Sequence, residues 1–245
     1  ALWPFAVLGW PDTKKPDYKN YYPTQCITSG RDILHLWITR MVFSGMELTG
    51  KAPFKDIYIH ATVLTKEGQR MSKSKGISID PLDLIEKYGA DALRFGLASQ
   101  ATQLQDLKFG EDLMVMGRKF SNKLWNIARY VLMKTGENYQ WELKNPHTDI
   151  TAKIDEVSTQ VTKNIENYNF AEAANAIYKF VWHEFADKYI EETKNKDDDE
   201  TRGSLIYVLA KTLKLLHPFM PFITEEIWSK LPLKNKKLLM IESWK

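Results

Sequence analysis

The sequence predicts an α/β segment followed by an all-α segment. One observation is the run IYIHATV at 57–63, whose β-branched residues indicate a buried strand, followed by the helix start Asp80-Pro81. The other is a set of apolar residues that recur at helical spacing from about residue 113 onward. Because strand signals are confined to the earlier residues, the two architectures occupy separate parts of the chain.

Composition is that of an ordinary globular protein, with 44% hydrophobic and 27% charged residues. The net charge of +3 is too small to indicate a nucleic-acid partner, so any RNA contact must rest on a local patch. The single cysteine, Cys26, excludes a disulfide framework and a Cys-rich zinc site within this sequence and favours a cytoplasmic location. No long uncharged apolar run or signal peptide is present, so no membrane partner is expected.

A long helix is predicted at 33–48, and it is apolar nearly all round. Such a helix suits burial against a parallel sheet. Gly30-Arg31-Asp32 stands at its head, where an Asp is most often an N-cap. This element and the loop after the strand at 57–63 lie on successive βα units.

The loop QRMSKSKGIS at 69–78 is the most informative stretch of the chain. Gly68 before it and Gly76 after its last cation are hinges, so it can close over the phosphates of a nucleotide. A solvated basic turn is the alternative, because a short motif gains meaning only from its context. The stretch 66–75 contains one acid, Glu67, and four cations: Lys66, Arg70, Lys73 and Lys75.

The second half predicts a helical bundle. A helix is predicted at 205–216, and another begins near Pro221. The acidic run 197–200 lacks the ligand spacing of a calcium loop and is expected to be a solvated lead into a helix, so no metal site is predicted. Two apolar stripes have intervals of three and four: Ile150, Ile154, Val157, Val161 and Ile165, then Phe170, Ala174, Ile177, Val181 and Phe185.

Five further stretches carry a family resemblance that covers nearly the whole chain. They are ALWPFAVLGWP at the start, then residues 21–50, DPLDLIEKYGADALRF, GRKFSNKLWNIARY and LLHPFMPFITEEIW. Together with the loop at 69–78, which is similar to the second ATP signature, they resemble the class I aminoacyl-tRNA synthetases, and within that family the enzymes for valine. The resemblance implies activation of valine with ATP, with Mg²⁺ arriving on the ATP, and transfer to tRNA(Val).

The resemblance also implies roles in the ATP site. Attack of a carboxylate on the α-phosphate gathers negative charge, which a preorganised ammonium stabilises. Lys73 would be the principal phosphate ligand and Arg70 a second cation. Ser72 and Ser74 would donate hydroxyls, and the Met71 main chain would pack near the adenine.

Three more ATP contacts follow from the same resemblance. Gly30 would allow close approach of the main chain to ATP, Asp32 would bind the ribose hydroxyls, and His60 would line the adenine pocket. Taken alone, Asp32 is as typical of an N-cap, and His60 of a structural histidine.

The helix predicted at 111–134 is the expected tRNA contact, because its buried face leaves a second, polar face. Aromatic rings on it can stack on unpaired bases. The alternative is that the asparagines bond within the bundle and the tryptophan belongs to the core. The expected tRNA-binding residues are Arg118, Asn122, Trp125, Asn126, Arg129 and Tyr130.

The resemblance implies three parts. Residues 1–76 would be the C-terminal half of a Rossmann-type catalytic domain, residues 77–112 a connecting region that contacts the tRNA stem, and residues 113–245 an α-helical anticodon-binding domain. The family's first ATP signature carries two histidines, and this sequence has no His-x-x-His pair. That signature and the editing domain are therefore expected upstream, and the segment is not expected to form adenylate alone.

Two alternatives stay open. The segment can belong to an isoleucine or leucine enzyme, which shares the cationic loop but differs around GRDILHLWITRM and ALWPFAVLGWP. It can also be a non-catalytic tRNA-binding module whose loop has lost its ATP role.

Overall fold

Two parallel strands organise the first part of the chain. The structure is a computed structural model that describes residues 1–71, 76–102, 106–136 and 140–244. Two short helices, α1 (Trp3–Ala6) and α2 (Pro16–Tyr21), precede strand β1 (Thr24–Ser29), which pairs in parallel with β2 (Phe54–Ile59). Parallel neighbours need a crossover, and a helical segment supplies it here.

That crossover begins as a 3₁₀ turn (Arg31–Ile33), continues as a π-helical stretch (Leu34–Ile38) and becomes helix α3 (Thr39–Thr49). Only one of its faces is buried. Ile38 and Met41 pack against Phe54 of β2, whereas Phe43 is 71% exposed. The expected burial on all sides is wrong for the described residues, because the pair β1–β2 covers one face of the helix.

The strand predicted at 57–63 is shifted towards the N-terminus. β2 ends at Ile59, and the His60 N–H then donates to Ser29 O at 3.2 Å. The chain leaves that pair, and a separate short strand, β3 (Val63–Leu64), pairs with β4 (Leu107–Lys108).

The described residues form two units. The first consists of residues 1–63 with Asp106 and Leu107, and the second takes in 64–102 and 108–244. The second unit therefore contains the start of the cationic loop as well as the helical half of the chain. Its first helix, α4 (Pro81–Tyr88), begins as predicted, with Asp80 Oδ1 accepting from Leu82 N at 2.9 Å.

The rest of the second unit is helical, which confirms the predicted fold class. The buried stripe residues Ile154, Val161 and Ile177 lie in its core. Across the described ranges, no helix is long and apolar enough to cross a bilayer. The helices are α5 (Ala90–Ala98), α6 (Glu111–Thr135), α7 (Asp149–Glu166), α8 (Phe170–Lys179) with its π-helical continuation (Phe180–Ile190), α9 (Glu191–Thr193), α10 (Asp199–Leu216) and α11 (Pro221–Lys230).

Helices α5 and α6 cross at close range because Gly117 has no side chain. A Cβ atom placed there would lie 2.5 Å from Ala92 O and 2.8 Å from Ala92 Cα. Main-chain atoms cannot give way as a flexible side chain can. Gly117 therefore sets how closely α6 approaches α5.

Helix α5 also holds the start of α11. The buried Asp91 carboxylate accepts from Phe222 N at 3.2 Å and from Ile223 N at 2.6 Å. One turn later, Arg94 donates to Pro218 O at 2.8 Å and to Phe219 O at 3.3 Å. A carboxylate from one helix thus satisfies the first main-chain donors of another, and burial raises the pKa of Asp91.

Candidate functional site

Gly30, Asp32 and His60 come together where the two parallel strands end. β1 ends at Ser29 and β2 at Ile59, so Gly30 and His60 are the residues that follow. A Cβ atom placed on Gly30 would lie 3.0 Å from Asp32 Oδ1 and 3.8 Å from His60 Nε2. The three residues surround one point at the carboxyl edge of the strands, which is where open α/β sheets bind ligands.

Gly30 is suited to this position because it has no side chain, and not because of its backbone angles. Gly30 has φ −75° and ψ 150°, a conformation that any residue adopts. A side chain here would crowd the Asp32 carboxylate. Glycine avoids this contact, and a carboxylate and an imidazole side by side at the strand edge have the chemistry that suits a nucleotide's ribose and base.

The histidine presents one ring nitrogen to that space. His60 is exposed, and its Nδ1 lies 3.0 Å from Ala61 O, which can only accept, so Nδ1 carries the proton. Nε2 is the other ring nitrogen, on the side that faces Gly30, and it accepts whenever it carries no proton. With the exposed Asp32 carboxylate, this edge offers acceptors that suit the hydroxyl and amino groups of a ligand.

The cationic loop begins at a tight hairpin in the second unit. Thr65 N–H donates to Gln69 O at 2.8 Å, and Gly68 N–H donates to Thr65 O at 3.0 Å. Gly68 has φ +83°, the left-handed conformation that such a turn requires of its last residue. Leu64 bridges Arg70 across the hairpin, so Arg70 has a defined position at the base of the loop.

The rest of the predicted phosphate loop is only partly described. Met71 follows the hairpin directly, but Ser72, Lys73 and Ser74 lie outside the described residues, and their roles stay predictions. In the hairpin itself, hydrogen bonds from its own main-chain N–H and from a threonine hydroxyl lower the pKa of Glu67. The loop's acid is therefore ionised at neutral pH.

The polar face of α6 is exposed along its length. Asn122, Asn126 and Arg129 are exposed, as is Arg118, whose guanidinium donates to Lys87 O at 3.1 Å. Their amide and guanidinium groups are all on the solvent side of the helix. The structure thus places four of the six expected tRNA-binding residues on one accessible surface.

The two aromatic residues of that set have a different environment. Trp125 and Tyr130 are half-buried and pack against the core of the second unit. The Tyr130 hydroxyl lies 3.1 Å from the Thr193 hydroxyl. A stacking role for these rings remains a prediction, because their packing contacts support the bundle.

A charged cluster formed by α6 and the π-helical continuation of α8 borders the α6 face and was not predicted. Lys123 Nζ lies 3.0 Å from Asp187 Oδ1 and 5.2 Å from the centre of the Trp182 ring. His183 Nδ1 is 3.6 Å from the same carboxylate. Lys123 and Asp187 lie 64 positions apart in the sequence, so no local pattern joins them, whereas His183 and Asp187 are one helical turn apart.

The acidic run behaves as a helix start. Asp198 Oδ1 accepts from Thr201 N at 2.7 Å, and these hydrogen bonds lower the pKa of Asp198. Arg202 pairs with Asp197 at 2.8 Å and with Asp199 at 3.2 Å. Within the described ranges, no group of three or more His, Cys, Asp or Glu residues could hold a metal ion.

Comparison with known families matches both halves of the chain. Residues 1–110 match the family described as tRNA synthetases class I (I, L, M and V). Residues 147–245 match the family described as the anticodon-binding domain of tRNA ligase. The matches follow the order of the strand-containing and helical parts.

Curated relatives and solved structures agree with those matches. A valine–tRNA ligase of Geobacillus stearothermophilus is 46% identical over 97% of this chain, and one of Aquifex aeolicus is 45% identical over 95%. The chain spans only 28% and 22% of their respective lengths.

Among structures, a leucyl enzyme–tRNA complex of Agrobacterium radiobacter K84 superposes with a TM-score of 0.79 at 20% identity, over 99% of this chain and 32% of that one. Mycobacterium tuberculosis methionyl-tRNA synthetase with methionyl-adenylate gives 0.73 at 22% identity, over 96% and 49%. At these identities the structures show a shared fold.

Proposed function

The chain belongs to the class I tRNA synthetases, and we propose that it is a segment of an enzyme that activates valine with ATP and transfers it to tRNA(Val). The observation that carries the amino-acid choice is the 46% identity to a valine–tRNA ligase across 97% of the chain. The activity belongs to a longer protein, since the chain spans 28% of that relative.

In this proposal the first unit binds the nucleoside part of ATP. The ribose binds beside Gly30, and its hydroxyls donate to the neighbouring Asp32 carboxylate. His60 lines the adenine pocket with Nε2. The convergence of these residues at the carboxyl edge of the strands supports this role, because binding there needs no rearrangement of the βαβ unit.

The loop after the hairpin acts on the phosphates. Valine's carboxylate attacks the α-phosphorus of ATP, a P–O bond forms, and pyrophosphate leaves with the electron pair of the broken bond. Negative charge grows on the leaving pyrophosphate, and cations from Lys73 and Arg70 stabilise it. Arg70's position at the hairpin base supports its part in this step. Mg²⁺ supplies further charge neutralisation when it is bound with ATP.

The second unit holds tRNA along α6. Arg118 and Arg129 pair with phosphates, while Asn122 and Asn126 have amide groups that can bond to base edges. Their common exposure on one helix face supports this role. The anticodon-binding family match over residues 147–245 supports the helical unit as the anticodon reader.

Binding of the purified chain to tRNA(Val) and to a tRNA(Val) with an altered anticodon tests the proposal. At fixed salt, the expected result is tighter binding to the unaltered tRNA. Asn126→Ala should reduce this preference, whereas Asn167→Ala, an exposed asparagine at the end of α7, should leave it intact.

Equal, weak and salt-sensitive binding of both tRNAs would contradict an anticodon reader and leave only non-specific electrostatic contact. Anticodon preference without any ATP-dependent change at the loop would favour the alternative of a non-catalytic tRNA-binding module.

A further inference from the structure

A groove in the second unit opens between the start of α5, the middle of α6 and the start of α11. Its volume is about 520 Å³, within the roughly 300–1,000 Å³ of sites that hold small ligands. Arg118 and Asn122 line it from α6, and Phe222 and Ile223 line it from α11. Two of the proposed tRNA contacts thus border the same groove as an aromatic ring.

Phe222 is unusually accessible for an aromatic side chain, at 66% exposed. The Phe222 main-chain N–H is bonded to the Asp91 carboxylate. This bond and the bond from Ile223 N–H to Asp91, together a clamp between α5 and α11, fix the main chain from which the ring extends beside the groove. An exposed ring on an ordered main chain, beside polar groups, is the arrangement on which an unpaired base stacks.

Arg118 is the charged group of the groove that is available to an anionic ligand. Asp91 is occupied by the first main-chain donors of α11, and Glu226 pairs with Lys230 at 2.9 Å. Arg118 donates to the neutral Lys87 carbonyl, a bond that leaves its positive charge uncompensated. In the part of the chain that the structure describes, both carboxylates of the groove thus already accept hydrogen bonds or an ion pair from other groups, whereas the Arg118 guanidinium has no carboxylate partner.

We propose that this groove holds one unpaired nucleotide of tRNA, with its base on the Phe222 ring, its phosphate at Arg118 and its base edge at Asn122. This rests on the proposed tRNA-binding function and adds Phe222 to it as a binding residue. The groove is separate from the contact at Arg129, which lies eleven residues further along α6, roughly 16 Å along the helix axis. One helix then contacts tRNA at two points.

The test is tRNA(Val) binding by Phe222→Ala, Phe222→Trp and Phe222→Leu variants of this chain. Loss of one stacked base should weaken binding about 5- to 150-fold for Phe222→Ala. Phe222→Trp should bind as the parent does, and Phe222→Leu should resemble Phe222→Ala, because leucine fills space without stacking. Phe43→Ala removes an equally exposed ring from the first unit and is the matched control.

Chemical probing of the bound tRNA at single-nucleotide resolution identifies the ligand. One unpaired nucleotide should lose protection in Phe222→Ala and keep it in Phe43→Ala. Unchanged affinity of Phe222→Ala, or full binding by Phe222→Leu, would overturn the stacking site while leaving anticodon preference, and so the proposed function, intact. If the parent chain binds no tRNA, both proposals fail together.

Discussion

Asp91 and Ile223 are joined by a 2.6 Å hydrogen bond from the Ile223 main-chain N–H to the Asp91 carboxylate, across 132 positions of sequence. The bond connects α5, which follows the cationic loop and α4, to α11 in the anticodon-binding part. It also joins GADALRF to HPFMPFITEEIW, and these segments belong to two of the stretches that carry the family resemblance. This hydrogen bond fixes the start of α11, where Phe222 borders the groove.

Asp91→Ala should lower the free energy of unfolding by about 1–3 kcal/mol, because two main-chain donors of α11 lose their partner in a buried place. Asp91→Asn should cost less, since the amide oxygen still accepts. Urea unfolding of each variant measures this. Glu172→Ala removes an exposed acid from the first turn of α8 and should have little effect. Equal stability of Asp91→Ala and Glu172→Ala would show that the clamp contributes nothing.

Gly117 and Gly203 should respond to alanine in opposite ways. Gly117→Ala places a Cβ against the Ala92 main chain and should destabilise the protein by about 1–3 kcal/mol. At Gly203, within α10, the nearest atom to a new Cβ is Pro146 Cγ at 3.4 Å, an ordinary contact. Gly203→Ala should therefore stabilise by about 0.4–1 kcal/mol through helix propensity. Thermal unfolding of both variants checks the pair, and a shift of the same sign in both would refute this packing explanation.

Acid should weaken the protein in part through His217, which is half-buried and lies 2.8 Å from the Thr224 hydroxyl. Burial lowers the pKa of His217 below its usual 6.5, although the charges of Glu225 and Asp91 oppose this. The unfolded chain then takes up the proton first, so this contribution is present above pH 6.5 and is lost as pH falls through the folded pKa.

As the pH is lowered from 8 to 5, the free energy of unfolding should fall more steeply for the parent than for His217→Gln. Parallel pH profiles would show that His217 does not couple folding to protonation.

Periodic burial made the helical half predictable. Ile154 and Ile177 belong to stripes that the spacing of apolar residues reveals directly, and Asp80 caps α4 as an Asp before a proline predicts. These signals are local, because a helix face and a cap each depend on residues within one or two turns. The meeting of Gly30 with His60 was partly predictable for a related reason, since each follows the end of a parallel strand.

The remaining features depend on long-range geometry. An Asp in the first turn of a helix normally serves its own helix, and nothing near Asp91 in the sequence indicates that it caps α11 instead. Phe43 is exposed because the strands cover only one face of the crossover helix. The apolar content of the helix alone does not reveal this. The half-buried placement of Trp125 and Tyr130 depends on the angle at which α6 meets its neighbours.

Replacing Arg118 and Arg129 together by Ala should weaken tRNA binding and flatten its salt dependence. Each lost phosphate contact should reduce the slope of log K against log salt by about 0.7–0.9. Titrations at several salt concentrations measure that slope. Arg202→Ala is the matched control, because this guanidinium is already paired with Asp197 and Asp199. An unchanged slope in the double variant would move tRNA recognition to another face of the second unit.

Lys73→Ala should be tested in a protein of the relatives' full length that contains this segment. There it separates the role of the cationic loop from that of α6. Loss of a preorganised cation at the leaving pyrophosphate should slow adenylate formation about 100- to 1,000-fold, as measured by valine-dependent exchange of labelled pyrophosphate into ATP. Affinity for tRNA(Val) should stay nearly unchanged, because its proposed contacts lie on α6. Lys66→Ala removes an exposed cation from the hairpin turn and should affect exchange far less. Equal losses of exchange and tRNA affinity in Lys73→Ala would remove this lysine from catalysis, since a group that acts only on the departing phosphates has no means of weakening tRNA binding.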